Sequence, residues 1–138
     1  MSQGKCNCGS VRVELKNGLP DSSVLCHCMS CRASSGSLFT VNLVVKKEDL
    51  VFHGEEHIKE YADKNTDSGS TLIRRFCGTC GSPIVSVVQG HDEMQYLKGS
   101  LFGKGIPKPA AEIFSRNFES WESKATEGVH VCEAMPPN

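Results

Sequence analysis

The chain has 138 residues, of which 38% are hydrophobic and 22% are charged, and its formal net charge is −1. These values are typical of one globular domain with a sizeable core and exclude a disordered chain. Lys and Arg are spread along the sequence, so no basic stripe favours nucleic acid or an anionic membrane, and no apolar run approaches the ~20 residues of a membrane span.

The opening segment MSQGKCNCGS is too polar to be the apolar core of a signal peptide. We therefore expect an intracellular, cytoplasmic protein in a reducing compartment. Disulfide frameworks are rare there, so the eight cysteines are expected to serve another purpose.

The segments between the cysteines predict short strands. Alternation of apolar and polar residues predicts a strand at 11–16, and a turn at 17–23 leads into a second one in SVLCHC. β-Branched and aromatic residues predict a strand at 37–45, followed in KKEDL by a brief turn or by one helical turn. Further strands are expected in VFHG, IKEYADK, TLIRRFC, PIVSVV, MQYLKGSL and EIFSRNF, the last ending near Trp121.

No helical periodicity extends over a dozen residues, and we find no repeat or linker. The sequence therefore predicts a single, mainly antiparallel β domain over residues 1–138. Residues 123–138, which contain Cys132, are expected to form a loosely ordered tail.

Seven of the eight cysteines lie in tight groups, which are Cys6-x-Cys8, Cys26-x-Cys28-x-x-Cys31 and Cys77-x-x-Cys80. The segment FCGTCGSP is typical of a zinc knuckle, in which a tight turn directs both sulfurs inward. Gly78 and Gly81 supply the backbone freedom for that turn.

In a C-x-C pair on an extended chain, residues two apart point to the same face. Cys6 and Cys8 can thus share one ion, as can Cys26 and Cys28. His27 should point away from that face and act as a packing or supporting residue rather than a ligand.

Seven thiols divide naturally into four and three. Structural zinc is held by four protein ligands, whereas catalytic zinc keeps three and leaves one position open. The triplet at 26–31 can close a three-ligand site alone, leaving Cys6 and Cys8 to meet Cys77 and Cys80, although spacing does not determine which pair joins which.

Two alternatives remain open from the residues alone. Cys132 could supply an eighth ligand, which would make both zinc sites structural. Disulfide redox chemistry is less consistent with the sequence, because C-x-x-C switches usually open a helix in a βαβ context that this chain lacks.

Four motifs in order, GKCNCGSVRVEL, CHCMSCRASSGS, DSG…RRFCGTCGSP and AEIFSRNFESW, resemble the glutathione-dependent formaldehyde-activating enzyme family, which includes centromere protein V-like proteins. The resemblance covers roughly residues 3–122. It implies an Mss4-like fold of twisted antiparallel sheets stapled by zinc. It also implies two zinc ions per chain, one structural on Cys6, Cys8, Cys77 and Cys80 and one catalytic on Cys26, Cys28 and Cys31.

The function that this resemblance implies is that of a zinc-dependent carbon–sulfur lyase acting on a thiol adduct. Glutathione with a small aldehyde, as in S-(hydroxymethyl)glutathione, is the implied small-molecule partner; we expect neither nucleic acid nor membrane as a partner. Arg32, beside the triplet, is a candidate for a substrate carboxylate or a structural residue, and Arg74, Arg75 and Arg116 are weaker candidates. The alternative function is a non-catalytic zinc-folded binding module with two structural sites.

Overall fold

The structure, a computed structural model, describes residues 2–135, in which the chain forms eleven strands and one short α-helix. The strands are β1 (Ser2–Lys5), β2 (Arg12–Leu15), β3 (Ser23–Cys26), β4 (Thr40–Lys46), β5 (Leu50–His53), β6 (Ile58–Asp63), β7 (Leu72–Cys77), β8 (Pro83–Val88), β9 (His91–Lys98), β10 (Pro109–Ile113) and β11 (His130–Val131). The helix α1 (Met29–Ser35) lies between β3 and β4. No helix among residues 2–135 has the length and apolar character of a membrane span.

The strands form two sheets. The smaller has three antiparallel strands in the order β1-β2-β5, and the larger has eight in the order β11-β10-β3-β4-β9-β8-β7-β6. The pairs that β10 makes with β3 and with β11 are parallel, whereas the other pairs are antiparallel. The prediction of a mainly β domain is confirmed, with the addition that the larger sheet is mixed.

One face of the larger sheet packs against the smaller sheet. Leu43, Val85 and Leu97 pair across β4, β9 and β8 and are fully buried. They share one apolar cluster with Val13 and Leu15 of β2, as the alternation in that strand predicts. This cluster joins the two sheets and is the main core of the chain.

The other face of the larger sheet is polar. Arg74 pairs with Ser86, Ser86 pairs with Tyr96, and Lys98 pairs with Asn42, so neighbouring strands present these side chains to the same side. Arg74, Ser86, Lys98 and Asn42 are nevertheless buried. Buried polar side chains on a sheet face commonly line a site rather than a core.

Three elements differ from the sequence prediction. Helix α1 was not predicted, because its seven residues are too few to reveal a helical period; Cys28 caps its start and Gly36, with φ of 66°, ends it. Strand β1 was not expected. The last predicted strand begins earlier and ends at Ile113, after which residues 115–117 form a single 3₁₀ turn instead of extending toward Trp121.

The segment after residue 122 follows the edge of the larger sheet. Its strand β11 pairs with β10, and the amide of Cys132 donates to the carbonyl of Glu112 at 2.8 Å. Val129 is buried. This segment was expected to be a loosely ordered tail; its last three residues, 136–138, lie outside the described part of the chain.

Candidate metal centres and the adjoining cavity

The first cysteine group joins the two sheets. Cys6 follows β1, Cys77 ends β7, and the turns after these strands carry Cys8 and Cys80. Their four sulfurs lie within 4.8 Å of one another, and the Sγ of Cys8 is 3.7 Å from the Sγ of both Cys6 and Cys77. Four sulfurs at this separation can hold one metal ion in a tetrahedral arrangement.

Backbone geometry prepares these sulfurs as ligands. The amides of Val11 and Thr79 donate to the sulfurs of Cys6 and Cys77, at 3.3 and 3.4 Å. Gly81 adopts a φ of 78° in the knuckle, as the sequence predicts, and a Cβ on Gly78 would meet the carbonyl oxygen of His57 at 3.0 Å. The knuckle therefore requires both glycines.

The pKa of Cys80 also favours metal binding. The hydrogen bond with the Ser82 hydroxyl, at 3.2 Å, and the nearby backbone amides lower the pKa of Cys80 to about 5. A thiol that is readily deprotonated is ready to bind a metal ion, since the thiolate is the ligand.

The second group is built by the helix that sequence reasoning did not find. Cys26 ends β3, Cys28 caps α1, and Cys31 lies in the first turn of α1. The amide of Cys31 donates to the sulfur of Cys28 at 3.3 Å, and the sulfurs of Cys31 and Cys26 are 3.4 Å apart. The three buried sulfurs lie within 4.8 Å of one another, and no further Cys, His, Asp or Glu among residues 2–135 joins them.

The three thiols lie too close together for all of them to be ionised at the same time. Hydrogen bonding with Cys26 and Cys28 lowers the pKa of Cys31 to about 2, and the positive charges of Arg74 and Lys98 add to this effect. The same contacts with Cys28 and Cys31, together with burial, raise the pKa of Cys26. A bound cation would allow all three to be thiolates, so this donor set fits a metal ion that prefers sulfur.

The remaining cysteine, Cys132, belongs to neither group of sulfurs. It packs half-buried against the apolar residues beside the second group. The arrangement of four and three therefore stands without an eighth sulfur. Cys28 does begin a helix, but β3 and β4 on either side of it are antiparallel, which is not the βαβ context of a dithiol switch.

The three-sulfur group opens onto a cavity of about 460 Å³. One wall is the polar face of the larger sheet, including Arg74, Ser86, Tyr96 and Lys98. Hydroxyl groups of the 65–70 loop and apolar side chains at β7 and at the end of β10 also line the cavity. These residues are Thr66, Ser68, Ser70, Leu72, Ile113 and Phe114. A cavity of this size accommodates a small-molecule ligand.

Arg74, one of the weaker candidates of the sequence analysis, contacts a sulfur of the second group. Its Nη2 lies 3.8 Å from the Sγ of Cys31, and its Nε donates to Oδ2 of Asp63 at 2.8 Å. Nη2 also donates to the Ser30 hydroxyl at 2.9 Å. Burial lowers the pKa of Arg74, but Asp63 and Cys31 outweigh it, and the net pKa is raised.

Lys98 was missed by the sequence analysis. Its Nζ donates to Oδ1 of Asn42 at 2.8 Å, and only 5% of the residue is exposed. Burial lowers the pKa of Lys98 to about 8, against the opposing charge of Cys31. The one available signal was its register, since Lys98 is two residues from Tyr96 on the same face of a central strand.

His27 points away from the sulfurs, as alternation predicts. Its Nε2 lies 2.9 Å from Oε1 of Glu112 and its Nδ1 lies 3.6 Å from Oε2 of Glu122, with all three side chains largely buried. The ring packs against Phe39 and Phe118. His27 therefore fastens the 112–122 segment behind the cysteines.

Arg32 also contacts the 112–122 segment. Its Nη2 lies 2.8 Å from Oε1 of Glu119, and its Nη1 donates to the carbonyl of Asn117 at 3.1 Å. Asn117 in turn donates to Asp67 at 2.8 Å. Arg32 thus has a structural role, which is one of the two roles that the sequence allowed.

The chain is similar to known proteins over most of its length. A family described as glutathione-dependent formaldehyde-activating enzyme matches residues 1–117, which include the seven clustered cysteines and leave Cys132 outside. A crystal structure of a Rhodobacter sphaeroides protein has a similar fold, with a TM-score of 0.56 and 24% identity, over 74% of this chain and 88% of that chain. No curated protein sequence matches the chain at a significant level.

Proposed function

The chain belongs to the glutathione-dependent formaldehyde-activating enzyme family, and from this premise we propose that it is a zinc-dependent enzyme of the carbon–sulfur lyase type. The proposed substrate is a thiol adduct of a small aldehyde, with glutathione as the thiol. A cytoplasmic location, where glutathione is abundant and thiols stay reduced, suits this proposal.

One observation carries the proposal: the second sulfur group has three donors and faces the cavity of about 460 Å³. The four-sulfur group is complete by itself and lies where two sheets meet, which suits a structural ion. A non-catalytic module with two structural sites would need a fourth donor in the second group. The proposal therefore assigns Cys6, Cys8, Cys77 and Cys80 to structural zinc and Cys26, Cys28 and Cys31 to catalytic zinc.

The proposed reaction is the addition of a thiol to an aldehyde and its reverse. A carbon–sulfur bond forms, the carbonyl double bond becomes a carbon–hydroxyl single bond, and the thiol proton is transferred to the oxygen. A bound zinc would supply Lewis acidity, which favours both the thiolate form of the substrate and the polarised carbonyl.

The protein's own groups prepare this chemistry. The three cysteine sulfurs would hold the metal ion at the cavity that they line, and the Arg74 guanidinium lies against Cys31. Ser86 and Lys98 of the sheet face and Phe114 line the cavity and are buried, and electrostatic interactions between buried groups are stronger than in water.

The test must separate catalysis from the uncatalysed reaction, which also forms the adduct. Exchange between free and formaldehyde-bound glutathione is measured by NMR at equal concentrations of wild type, Cys28→Ser and Cys132→Ser. We expect acceleration by wild type and by Cys132→Ser, whose cysteine lies outside both sulfur groups, and none by Cys28→Ser. Equal rates for wild type and Cys28→Ser would refute the substrate assignment.

A further inference from the structure

Lys98 is a buried cation without a matching carboxylate. Its one hydrogen bond within residues 2–135 goes to the neutral amide oxygen of Asn42, and no Asp or Glu among those residues lies within ion-pair distance. By contrast, the other buried cation, Arg74, is paired with Asp63. Burying a charged amine without an ionic partner is unfavourable. A buried amine of this kind that borders a cavity is therefore a candidate for binding an anionic ligand.

Lys98 borders two cavities. Lys98, Arg74 and Ser86 line the cavity beside the three sulfurs, and the same three residues line a second cavity of about 330 Å³. Strand pairing brings these three residues together, since Arg74 pairs with Ser86 and both lie on the face of the sheet that carries Lys98. A ligand group at this junction meets two cations and a hydroxyl at once.

We propose that Lys98, with Arg74 and Ser86, forms a carboxylate-binding subsite, so that the thiol adduct accepted beside the cysteines carries a carboxylate. This inference rests on the proposed function and names its substrate class. The carboxylate can belong to the thiol, as in glutathione, or to the aldehyde, as in an α-oxo acid.

A carboxylate is the group that this junction fits. Lys98 retains two of its three N–H donors after the bond to Asn42, and the Ser86 hydroxyl provides a third. Charge-assisted hydrogen bonds of this kind are about twice as strong as neutral ones. A neutral thiol adduct would offer the two remaining N–H donors of Lys98 no anionic acceptor, so the site should discriminate against it.

The first experiment measures affinity and does not depend on activity. The probes are S-methylglutathione and its dimethyl ester, neither of which can donate a thiolate, titrated calorimetrically into the zinc-loaded protein. We expect wild type to prefer the free acid by about tenfold or more, because that is the usual effect of one hydrogen bond to a charged group. Lys98→Met should abolish the preference, and Lys98→Arg should retain most of it.

Two further variants sharpen this comparison. Asn42→Asp gives Lys98 a carboxylate within the protein and should also abolish the preference while leaving the lysine in place. Lys47→Met removes an exposed lysine that pairs with Asp92 and should change nothing. Three results would overturn the subsite. Wild type could show no preference for the free acid, Lys98→Met and Asn42→Asp could both keep the wild-type preference, or the variants could lose affinity equally for the free acid and for the ester.

The second experiment locates the carboxylate. Exchange is followed by NMR for glutathione with formaldehyde, for 2-mercaptoethanol with glyoxylate, and for 2-mercaptoethanol with formaldehyde, which has no carboxylate. Lys98→Met should slow the first, the second or both by about tenfold to a hundredfold and spare the third. Equal slowing of all three would overturn the subsite, whereas no acceleration by wild type in any would refute the proposed function and leave the affinity result to decide the subsite.

Discussion

The guanidinium of Arg74 lies 3.8 Å from the sulfur of Cys31. Asp63 holds that guanidinium at 2.8 Å, so its charge is fixed beside the cysteine rather than free to turn away. Arg74 and Cys31 are 43 residues apart in the sequence, and their contact joins β7 to α1. The arrangement makes Arg74 a residue that positions and stabilises a ligand rather than one that binds metal itself.

Replacing Arg74 by Gln should weaken metal binding at the three-sulfur group by about tenfold to a hundredfold, as is usual for residues that support a metal ligand. The physical reason is that the Cys31 thiolate loses an adjacent positive charge and a hydrogen-bond donor. Competition with a chromophoric chelator measures the effect. Arg75→Gln is the matched control, since Arg75 points to the opposite face and stacks on Phe52; an equal loss of affinity in the control would contradict the assigned role.

The two metal centres should differ in how firmly they hold their ions. Four sulfurs between two sheets form a closed site, whereas three sulfurs at a cavity leave their ion accessible. Mild chelation should therefore remove about one zinc per chain without unfolding the protein. Metal analysis and circular dichroism on the same sample check this; simultaneous loss of both ions with collapse of the fold would show that the sites are equivalent.

Substitution of single ligands should separate stability from activity. Cys77→Ser should abolish soluble folding, because the four-sulfur group joins the two sheets and structural zinc contributes on the order of 10–16 kcal/mol of apparent binding free energy. Cys28→Ser should leave a folded protein without activity. Thermal unfolding of both variants is the measurement, and equal losses of stability would instead favour two structural sites.

Much of the fold and both sulfur groups could be predicted because their signals are local. Alternation in β2 and the β-branched run in β4 reflect which faces are buried, and C-x-C and C-x-x-C spacing fixes where sulfurs can point. The direction of His27 followed from the same alternation. Helix α1 could not be predicted in this way, because seven residues with a single buried side chain carry no periodic pattern.

The cavity wall could not be predicted, because it depends on strands that are distant in sequence. Arg74 and Lys98 are ordinary charged residues until β7, β8 and β9 pair and bury one face of the sheet. Arg32 was preferred as the charged residue nearest the triplet in sequence, but the helix directs it to Glu119. Proximity in sequence was therefore a poor guide to which cation faces the sulfurs.

The buried His27–Glu112 pair should stabilise the protein substantially. His27→Ala removes a ring that packs against two phenylalanines and leaves the Glu112 carboxylate without its 2.9 Å partner. We expect a loss of about 2–4 kcal/mol in the free energy of unfolding, from the cavity and the lost hydrogen bond together. Urea denaturation measures it, with His53→Ala as the control, because His53 is exposed and should change stability by less than about 0.5 kcal/mol.

Lys98→Met should stabilise the protein, even though it removes a residue that we assign to substrate binding. Burial lowers the pKa of Lys98 to about 8 from its ordinary 10.5, so the folded state disfavours the charged amine. That unfavourable contribution is fully present below pH 8, where the amine is charged in both states, and it disappears as the pH rises from about 8 to 10.5.

The shift corresponds to about 3 kcal/mol at neutral pH, and methionine matches the lysine stem without its charge. The difference in unfolding free energy between Lys98→Met and wild type should thus be largest near pH 7 and decline above pH 8, while Lys47→Met shows no such trend. The groups that face Lys98 are Arg74 and the three cysteines, and the pKa of about 8 belongs to that set without a metal ion. Both proteins are therefore compared at the same metal content, with the three-sulfur group emptied by mild chelation. If Lys98→Met is less stable than wild type at pH 7, or if the difference in unfolding free energy does not depend on pH, burial of the charged Lys98 amine does not destabilise the fold.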